Sequence, residues 1–292
     1  MAKRKLGMSI IVLIVAATTM VSGTYAWFLV GGFAELFDLG FDVIEASGGI
    51  ELQGSAGHAH AGAEDGAAQV EWGAYLQRDC FAAGELIAED GKYAPVSSAN
   101  GSSFTKVGLE GGYFASLDPQ VGVDYNELRI KIRSTTTESV DARMNIALTG
   151  RDGDNAAVEA ARVSVTYNGT TTIFAAPGDA TSAVTTDDIP MATVMDSNNN
   201  SIIDSGETAG VVTLAAQSVT ELAQSAADAN KFEATMELPQ VSGNTGSNEI
   251  VIRVWIEGND TDCTGEKLSA KHLSTKITFG SSADNNGGTE TP

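Results

Sequence analysis

Short runs in which apolar and polar residues alternate recur along the sequence, and they limit the possible fold more than any other feature. In residues 126–134 (NELRIKIRS), Leu128, Ile130 and Ile132 fall on one side of an extended chain and charged residues on the other. Because successive side chains of a β-strand point to opposite faces, this pattern predicts a strand with one buried face. Residues 249–257 (EIVIRVWIE) repeat it. We therefore predict an all-β chain, a jelly-roll-like antiparallel β-sandwich with long loops.

One turn and one helix can be placed within this pattern. Residues 161–176 (ARVSVTYNGTTTIFAA) contain Asn168-Gly169, a dipeptide that suits the positive φ angles of a tight hairpin turn. A β-hairpin is predicted there. Residues 218–230 (SVTELAQSAADAN) have apolar residues at helical spacing, and they are predicted to form the one short helix.

The first 26 residues have the layout of a secretory signal peptide. Basic residues at 3–5 precede an apolar run over 8–21, and the small side chains of Thr24 and Ala26 suit a cleavage site. Cleavage after Ala26 makes Trp27 the first residue of the mature protein. A signal peptidase is then a partner, and the chain meets a membrane only before cleavage.

Two other interpretations of this terminus stay open. Residues 6–30 are about long enough to remain as an uncleaved membrane anchor, although Ser22-Gly23-Thr24 interrupts the apolar run. The other is a prepilin-type cut after Gly7. Such sites usually have an acidic residue soon afterwards, and here none precedes Glu35.

The remainder of the chain is predicted to divide into four parts. Residues 27–53 form a hydrophobic N-terminal segment, and residues 54–68 form a linker rich in Gly, Ala and His. Residues 69–280 form the β-sandwich domain. Residues 281–292 form a tail that is disordered by composition.

The charge of the chain excludes polyanionic partners. The sequence contains 17 Lys and Arg against 38 Asp and Glu, for a net charge of −21. So negative a surface repels nucleic acid and anionic membranes. With the signal peptide, it predicts a secreted protein that is extracellular or lies at the cell surface.

The two cysteines are predicted to pair. Cys80 and Cys263 are the only cysteines in a chain with an export signal, where a disulfide is the usual state. On the chain-entropy model such a long loop contributes about 4–5 kcal/mol. Two free buried thiols, or a bond between subunits, remain alternatives.

Residues 196–207 (DSNNNSIIDSGE) match the spacing of a twelve-residue calcium loop. Calcium binds six to eight oxygen atoms, and this spacing wraps carboxylate, amide and carbonyl oxygens around one ion. Ser201 replaces the glycine usual at the sharp turn, so an Asn-rich surface turn is the alternative. The prediction is a structural Ca²⁺ with these ligands: Asp196, Asn198, Asn200, Ile202, Asp204 and Glu207.

The histidines offer a weaker metal pattern. His58 and His60 lie in the sequence GHAHAGAED, where Glu64 and Asp65 could complete a transition-metal site. The chain has only three histidines and no His-Glu-x-x-His motif, and no spacing indicates a hydrolase. We predict that the protein is not an enzyme.

Several short segments resemble one family of exported bacterial proteins. GTYAWF (23–28) is similar to the processing site of the TasA/camelysin family, whose signal peptides are of the SipW type, and EASGGIELQ (45–53) is similar to the strand that follows it. Further similar segments occur in family order: YAPVSSANGSSF, IKIRSTTT, AARVSVTYNG and WIEGNDTDC.

The resemblance implies a jelly-roll subunit of an extracellular fibre, pilus-like filament or biofilm matrix. It implies that residues 27–53 act as a donor strand that completes the sheet of another copy, so the main partner is the protein itself. The implied interface residues are Val43, Ile44, Ile50 and Leu52. The alternative is a monomeric secreted or surface-associated binding protein whose strand folds back. A secreted metallopeptidase, as described for camelysin-like members, is a further alternative.

Overall fold

The computed structural model describes residues 36–37, 39–41, 44–88, 92–93, 95–110, 113–150, 155–177, 191–194, 209–212, 219–258, 260, 268 and 273–282. Within these ranges the regular elements are 21 β-strands, a helix α1 (Ala156–Ala160) and a 3-10 turn (Arg78–Cys80). The strands are β1 (Leu36–Phe37), β2 (Leu39–Phe41), β3 (Ile44–Ala46), β4 (Ile50–Gly54), β5 (Ala59–His60), β6 (Gln69–Val70), β7 (Tyr75–Leu76), β8 (Lys92–Tyr93), β9 (Lys106–Glu110), β10 (Tyr113–Leu117), β11 (Asn126–Ser134), β12 (Val140–Gly150), β13 (Ala161–Tyr167), β14 (Thr170–Ala175), β15 (Met191–Val194), β16 (Ala209–Val212), β17 (Val219–Glu221), β18 (Ala223–Gln224), β19 (Lys231–Val241), β20 (Asn248–Ile256) and β21 (Leu273–Ser281).

The protein is an all-β sandwich, as predicted. One sheet has six strands in the order β17-β14-β13-β20-β11-β4. The other has nine, in the order β18-β19-β12-β21-β3-β7-β5-β6, with β2 also paired to β21. The sheets are mixed rather than wholly antiparallel, because β17 pairs parallel to β14, and β2 and β3 pair parallel to β21. Three separate two-stranded pairs are β1–β8, β9–β10 and β15–β16.

The alternating runs form the core between the sheets. Leu128, Ile130 and Ile132 of β11 are fully buried, while Arg129 and Lys131 between them are exposed. The same core includes residues of the nine-stranded sheet, among them Met144, Ile146, Leu148 and Ile277. Alternation thus predicted which face of β11 is buried.

A second, smaller core covers the outer face of the six-stranded sheet. Trp255 of β20 is fully buried although it lies on the face opposite Val254 and Ile256. The ring of Phe104 contacts it edge-on at 5.1 Å between centroids, and Phe104 stacks on Tyr125 at 4.1 Å. The indole Nε1 donates to the Glu257 carboxylate at 3.1 Å. The loop that carries Phe104 therefore buries the outer face of β20 at Trp255, while the core between the sheets buries the opposite face.

The predicted turn is confirmed and the predicted helix is misplaced. Asn168 and Gly169 have φ angles of 48° and 77°, the two positive values that a tight hairpin between β13 and β14 requires. Residues 218–230 were predicted to be the short helix, but residues 219–224 form β17 and β18 instead. Pairing with β14 and β19 outweighs the local helical spacing. The short helix of the described residues is α1.

The N-terminal segment lies within the sandwich. β3 and β4 are joined by a turn at Gly48 and Gly49, which have φ angles of 61° and 76°. The turn carries the chain from the nine-stranded sheet, where β3 lies between β21 and β7, to the edge of the six-stranded sheet. Residues 54–68 were predicted to be a linker. They instead contain β5, which is buried and paired with β6 and β7.

Candidate metal centre

Four side chains with metal-binding atoms converge beside β5. His58, His60, Asp79 and Cys80 each bring one ligand atom into a group in which all of these atoms lie within 4.8 Å of one another. The histidines come from the segment after β4, and the other two residues come from the 3-10 turn after β7. Strand pairing brings the two pieces together, since β5 pairs with β7 through His60 and Tyr75.

Backbone contacts hold the two pieces in place. The amide of Ala56 donates to the Cys80 carbonyl at 2.9 Å, and the amide of Gly54 donates to the His58 carbonyl at 3.0 Å. A Cβ at Gly54 would lie 2.1 Å from the Cys80 carbonyl oxygen, and one at Gly73 would lie 2.5 Å from the His60 carbonyl oxygen. Glycine at both positions therefore permits the close approach that forms the cluster.

His60 is the most constrained member. Its Nε2 lies 2.8 Å from Asp79 Oδ1, and its Nδ1 lies 3.0 Å from the carbonyl oxygen of Ala67. Burial lowers the pKa of His60, but the hydrogen bonds with Asp79 and Ala67 and the negative charge of Asp79 outweigh it, so the pKa is raised. The contacts with Asp79 and Ala67 therefore hold the ring of His60 in one orientation.

Asp79 is the central acceptor of the cluster. Besides His60, the Gln69 side-chain amide donates to its Oδ2 at 2.9 Å. Burial raises the pKa of Asp79, but the hydrogen bonds from His60 and Gln69 outweigh it and lower the pKa. The side chain of Asp79 is nevertheless 48% exposed, so this face of the cluster is open to solvent.

His58 has a buried nitrogen without a hydrogen bond. Its Nε2 is shielded from solvent and makes none, and Asp79 Oδ2 lies 3.5 Å away. The rings of His58 and His60 meet edge to face, with 6.0 Å between centroids. Buried polar atoms are nearly always paired in folded proteins, so this nitrogen requires an explanation.

Cys80 is buried and forms no disulfide with any residue that the structure describes. Its Sγ lies 3.8 Å from Asp79 Oδ1. Burial raises the pKa of the thiol to about 11, and the charge of Asp79 adds to the shift. Cys263, the predicted disulfide partner, lies outside the described residues, so the pairing stays a prediction.

The cluster differs from the one predicted. His58 and His60 are present, but Glu64 and Asp65 are exposed and lie outside the group, and Asp79 and Cys80 take their place. The sequence contained a partial signal, a His-x-His pair and one of only two cysteines. It contained no spacing that joined them.

The other predicted site residues fall in two groups. Ile44, Ile50 and Leu52 are buried in the core of their own chain, at 1%, 3% and 0% exposure. The rest lie outside the described residues: Ala26, Trp27, Val43, Asp196, Asn198, Asn200, Ile202, Asp204, Glu207 and Cys263.

Comparisons with known proteins add no assignment. No protein-family model, curated protein or solved structure matches the chain. In the part of the chain that the structure describes, no helix has the length and apolar character needed to cross a membrane.

Proposed function

We propose that the chain is an exported structural subunit of an extracellular fibre or matrix whose copies assemble by exchanging their N-terminal strands. The observation that carries the proposal is the position of β3 and β4. These strands bring Ile44, Ile50 and Leu52 into the core, and they come from the N-terminal segment of the chain. A terminal segment can be exchanged without threading the chain through a loop.

The contacts of this segment are suited to exchange. β4 pairs with β11 over five residues, and β3 lies between β21 and β7. All of these partners belong to the rest of the chain, so the same segment of another copy can make identical contacts. Main-chain hydrogen bonds and pockets for alternate side chains are the usual basis of strand addition.

The sequence features complete the proposal. Cleavage after Ala26 releases the N-terminal segment, and the apolar residues at 27–41 are then covered by assembly rather than left in water. The resemblance to the TasA/camelysin family points to the same role. The proposed subunit also binds a structural Ca²⁺ at residues 196–207, and its role is association rather than catalysis.

A monomeric secreted or surface-associated binding protein is the second candidate. The observation that favours it is that β3 and β4 pair within their own chain. In that case the N-terminal segment is a permanent part of each molecule.

A disulfide lock distinguishes the two candidates. Glu51 and Arg133 lie directly opposite each other on β4 and β11. Opposed residues of antiparallel strands have Cα atoms about 4.5–5.5 Å apart, within the range of about 4.4–6.8 Å that a disulfide spans. A protein that begins at Trp27 and carries Glu51→Cys with Arg133→Cys can therefore be locked in the self-paired state.

Negative-stain electron microscopy gives the readout. We expect filaments from the unmodified protein, none from the oxidised locked variant, and filaments again after reduction. Arg143→Cys with Glu237→Cys, an opposed pair on β12 and β19 away from the N-terminal segment, is the matched control and should form filaments in both states. Uniform monomers from the unmodified protein, or filaments from the locked variant, would contradict strand exchange.

A further inference from the structure

We infer that His58, His60, Asp79 and Cys80 form a structural site for a divalent transition-metal ion of the Zn²⁺ class. The inference is independent of strand exchange, because all four residues lie outside the proposed donor segment, residues 27–53. It rests on the donor set, the distances, the contacts around the ligands and the buried Nε2 of His58, whose nearest acceptor, Asp79 Oδ2, lies 3.5 Å away.

The donor set selects the metal class. Two imidazoles, a thiol and a carboxylate are the groups that bind Zn²⁺ in proteins. Ca²⁺ and Mg²⁺ prefer oxygen ligands, and this cluster has two nitrogen donors and one sulfur donor. The site is thus distinct in chemistry from the calcium loop predicted at 196–207.

Two of the distances match those of a tetrahedral site, and His60 Nε2, at 2.8 Å from Asp79 Oδ1, would have to move outward to bind the same ion. Bonds of about 2.0–2.3 Å to a tetrahedral Zn²⁺ place its ligand atoms about 3.3–3.8 Å apart. Asp79 Oδ2 lies 3.5 Å from His58 Nε2, and Asp79 Oδ1 lies 3.8 Å from Cys80 Sγ. Small side-chain rotations would bring the four ligand atoms around one ion.

The ligands have the outer contacts that metal sites use. A metal-bound histidine usually donates its other ring N–H to a carbonyl or carboxylate, which orients the ring. His60 Nδ1 is positioned to donate to the Ala67 carbonyl, which leaves Nε2 facing the cluster. Asp79 is oriented in turn by the amide of Gln69.

An ion also explains why the buried Nε2 of His58 makes no hydrogen bond. His58 Nε2 is buried and makes no hydrogen bond, and the neighbouring Cys80 thiol is fully buried beside a carboxylate. A cation would coordinate His58 Nε2 and Cys80 Sγ, and it would neutralise the charge of Asp79. Four ligands from the protein give a closed coordination shell, which is typical of structural rather than catalytic zinc.

The ion would brace the segment after β4. His58 and His60 lie on that segment, while Asp79 and Cys80 lie on the 3-10 turn, and the ion would join the two pieces. Metal that binds only the folded state raises stability according to its concentration and affinity. A disulfide between Cys80 and Cys263 would remove the thiolate, so the two states of Cys80 exclude each other.

Cobalt titration of the metal-free mature protein tests the site, because Co²⁺ replaces Zn²⁺ and reports its ligands by absorption. We expect one Co²⁺ per chain, visible bands of tetrahedral cobalt and a thiolate-to-cobalt charge-transfer band, all displaced by Zn²⁺ and not by Ca²⁺. Cys80→Ser should abolish the charge-transfer band, and Cys263→Ser should leave it unchanged. His58→Gln, at a partly exposed position, should weaken Co²⁺ binding by more than about tenfold, since even changes around the ligands cost that much.

The controls make the test decisive. Glu64→Gln with Asp65→Asn, which alters the neighbouring carboxylates, should bind Co²⁺ like the unmodified protein. Circular dichroism in chelator shows whether each variant is folded. If Cys80→Ser does not fold, the loss of Co²⁺ affinity in His58→Gln tests the site. Absence of stoichiometric binding, a charge-transfer band that survives Cys80→Ser, or an intact mass two hydrogens below that of the reduced chain would overturn the inference.

Discussion

Gly54 lies against Cys80 so closely that a Cβ at Gly54 would meet the Cys80 carbonyl oxygen at 2.1 Å and the Cys80 Cβ at 2.9 Å. The contact joins the end of β4 to the 3-10 turn, so it links the N-terminal segment to the cluster of His58, His60, Asp79 and Cys80. No side chain fits there unless the backbone moves, because both of the closest atoms, O and C, belong to the main chain.

Gly54→Ala should therefore lower stability and metal affinity together. We expect a loss of about 1–3 kcal/mol in the free energy of unfolding, the usual range for overpacking, and weaker Co²⁺ binding. Gly62→Ala is the matched control, because its nearest atom would be the Ala67 Cβ at 3.7 Å, an ordinary contact. Urea unfolding of the two variants checks this, and equal midpoints would refute it.

The buried ion pair between Arg162 and Asp260 gives a second prediction. Arg162 Nη2 lies 2.5 Å from Asp260 Oδ2, and both side chains are less than 5% exposed. Asp260→Asn leaves the buried guanidinium without its counter-charge and should cost about 3–5 kcal/mol. Glu237→Gln, which breaks the exposed pair with Arg143, should cost at most about 1 kcal/mol. Thermal unfolding compares the two variants, and similar losses of stability would contradict the prediction that the buried pair matters more than the exposed one.

Tyr167 predicts how stability changes at alkaline pH. Burial raises the pKa of its phenol, and the hydroxyl donates to the Pro239 carbonyl at 2.9 Å. In the unfolded chain the phenol of Tyr167 loses its proton near the ordinary pKa of about 10. The protonated hydroxyl therefore contributes its full stabilisation of the folded state below that pH, and this stabilisation is lost as the pH rises through the raised pKa of the folded state.

Tyr167→Phe should therefore be less stable than the unmodified protein by about 0.5–1.5 kcal/mol at neutral pH, the usual value of one hydrogen bond. The difference should narrow above about pH 10. Chemical unfolding at pH 7 and at alkaline pH measures it. A difference that stays constant or widens would show that Tyr167 is not the linked group.

The calcium loop predicts a metal-dependent melting temperature. Asp196 and Glu207 would supply the first and last carboxylates around the ion. Ca²⁺ should raise the melting temperature of the unmodified protein, and Asp196→Ala with Glu207→Ala should abolish the rise. Differential scanning calorimetry in Ca²⁺ and in chelator gives the comparison. Equal melting temperatures in both would contradict Ca²⁺ binding by this loop.

Local patterns predicted the parts of the fold that local chemistry controls. Alternation identified the buried face of β11 because the side-chain period of a strand is two. Asn168-Gly169 identified a hairpin because few other residues adopt two successive positive φ angles. In residues 218–230, by contrast, pairing with distant strands prevailed over a helical spacing. The burial of Trp255 depends on a distant loop, which alternation along β20 does not reveal.

The cluster around His58 and His60 was likewise predictable only in part. The spacing of His58 and His60 indicated the possibility of a ligand pair, and neighbours in sequence, Glu64 and Asp65, were the simplest partners. The residues that complete the cluster are Asp79 and Cys80, which the pairing of β5 with β7 brings close. No single-sequence pattern encodes that pairing, because the strands are two residues long and carry no distinctive composition.

The proposed exchange of strands can be trapped directly between copies. Two proteins that begin at Trp27, one with Glu51→Cys and one with Arg133→Cys, are mixed before assembly and then oxidised. Peptide mass spectrometry should find residue 51 of one protein bonded to residue 133 of the other, because β4 of one copy would lie on β11 of the next. Filaments that contain no such bond, or a mixture that remains monomeric, would contradict strand exchange.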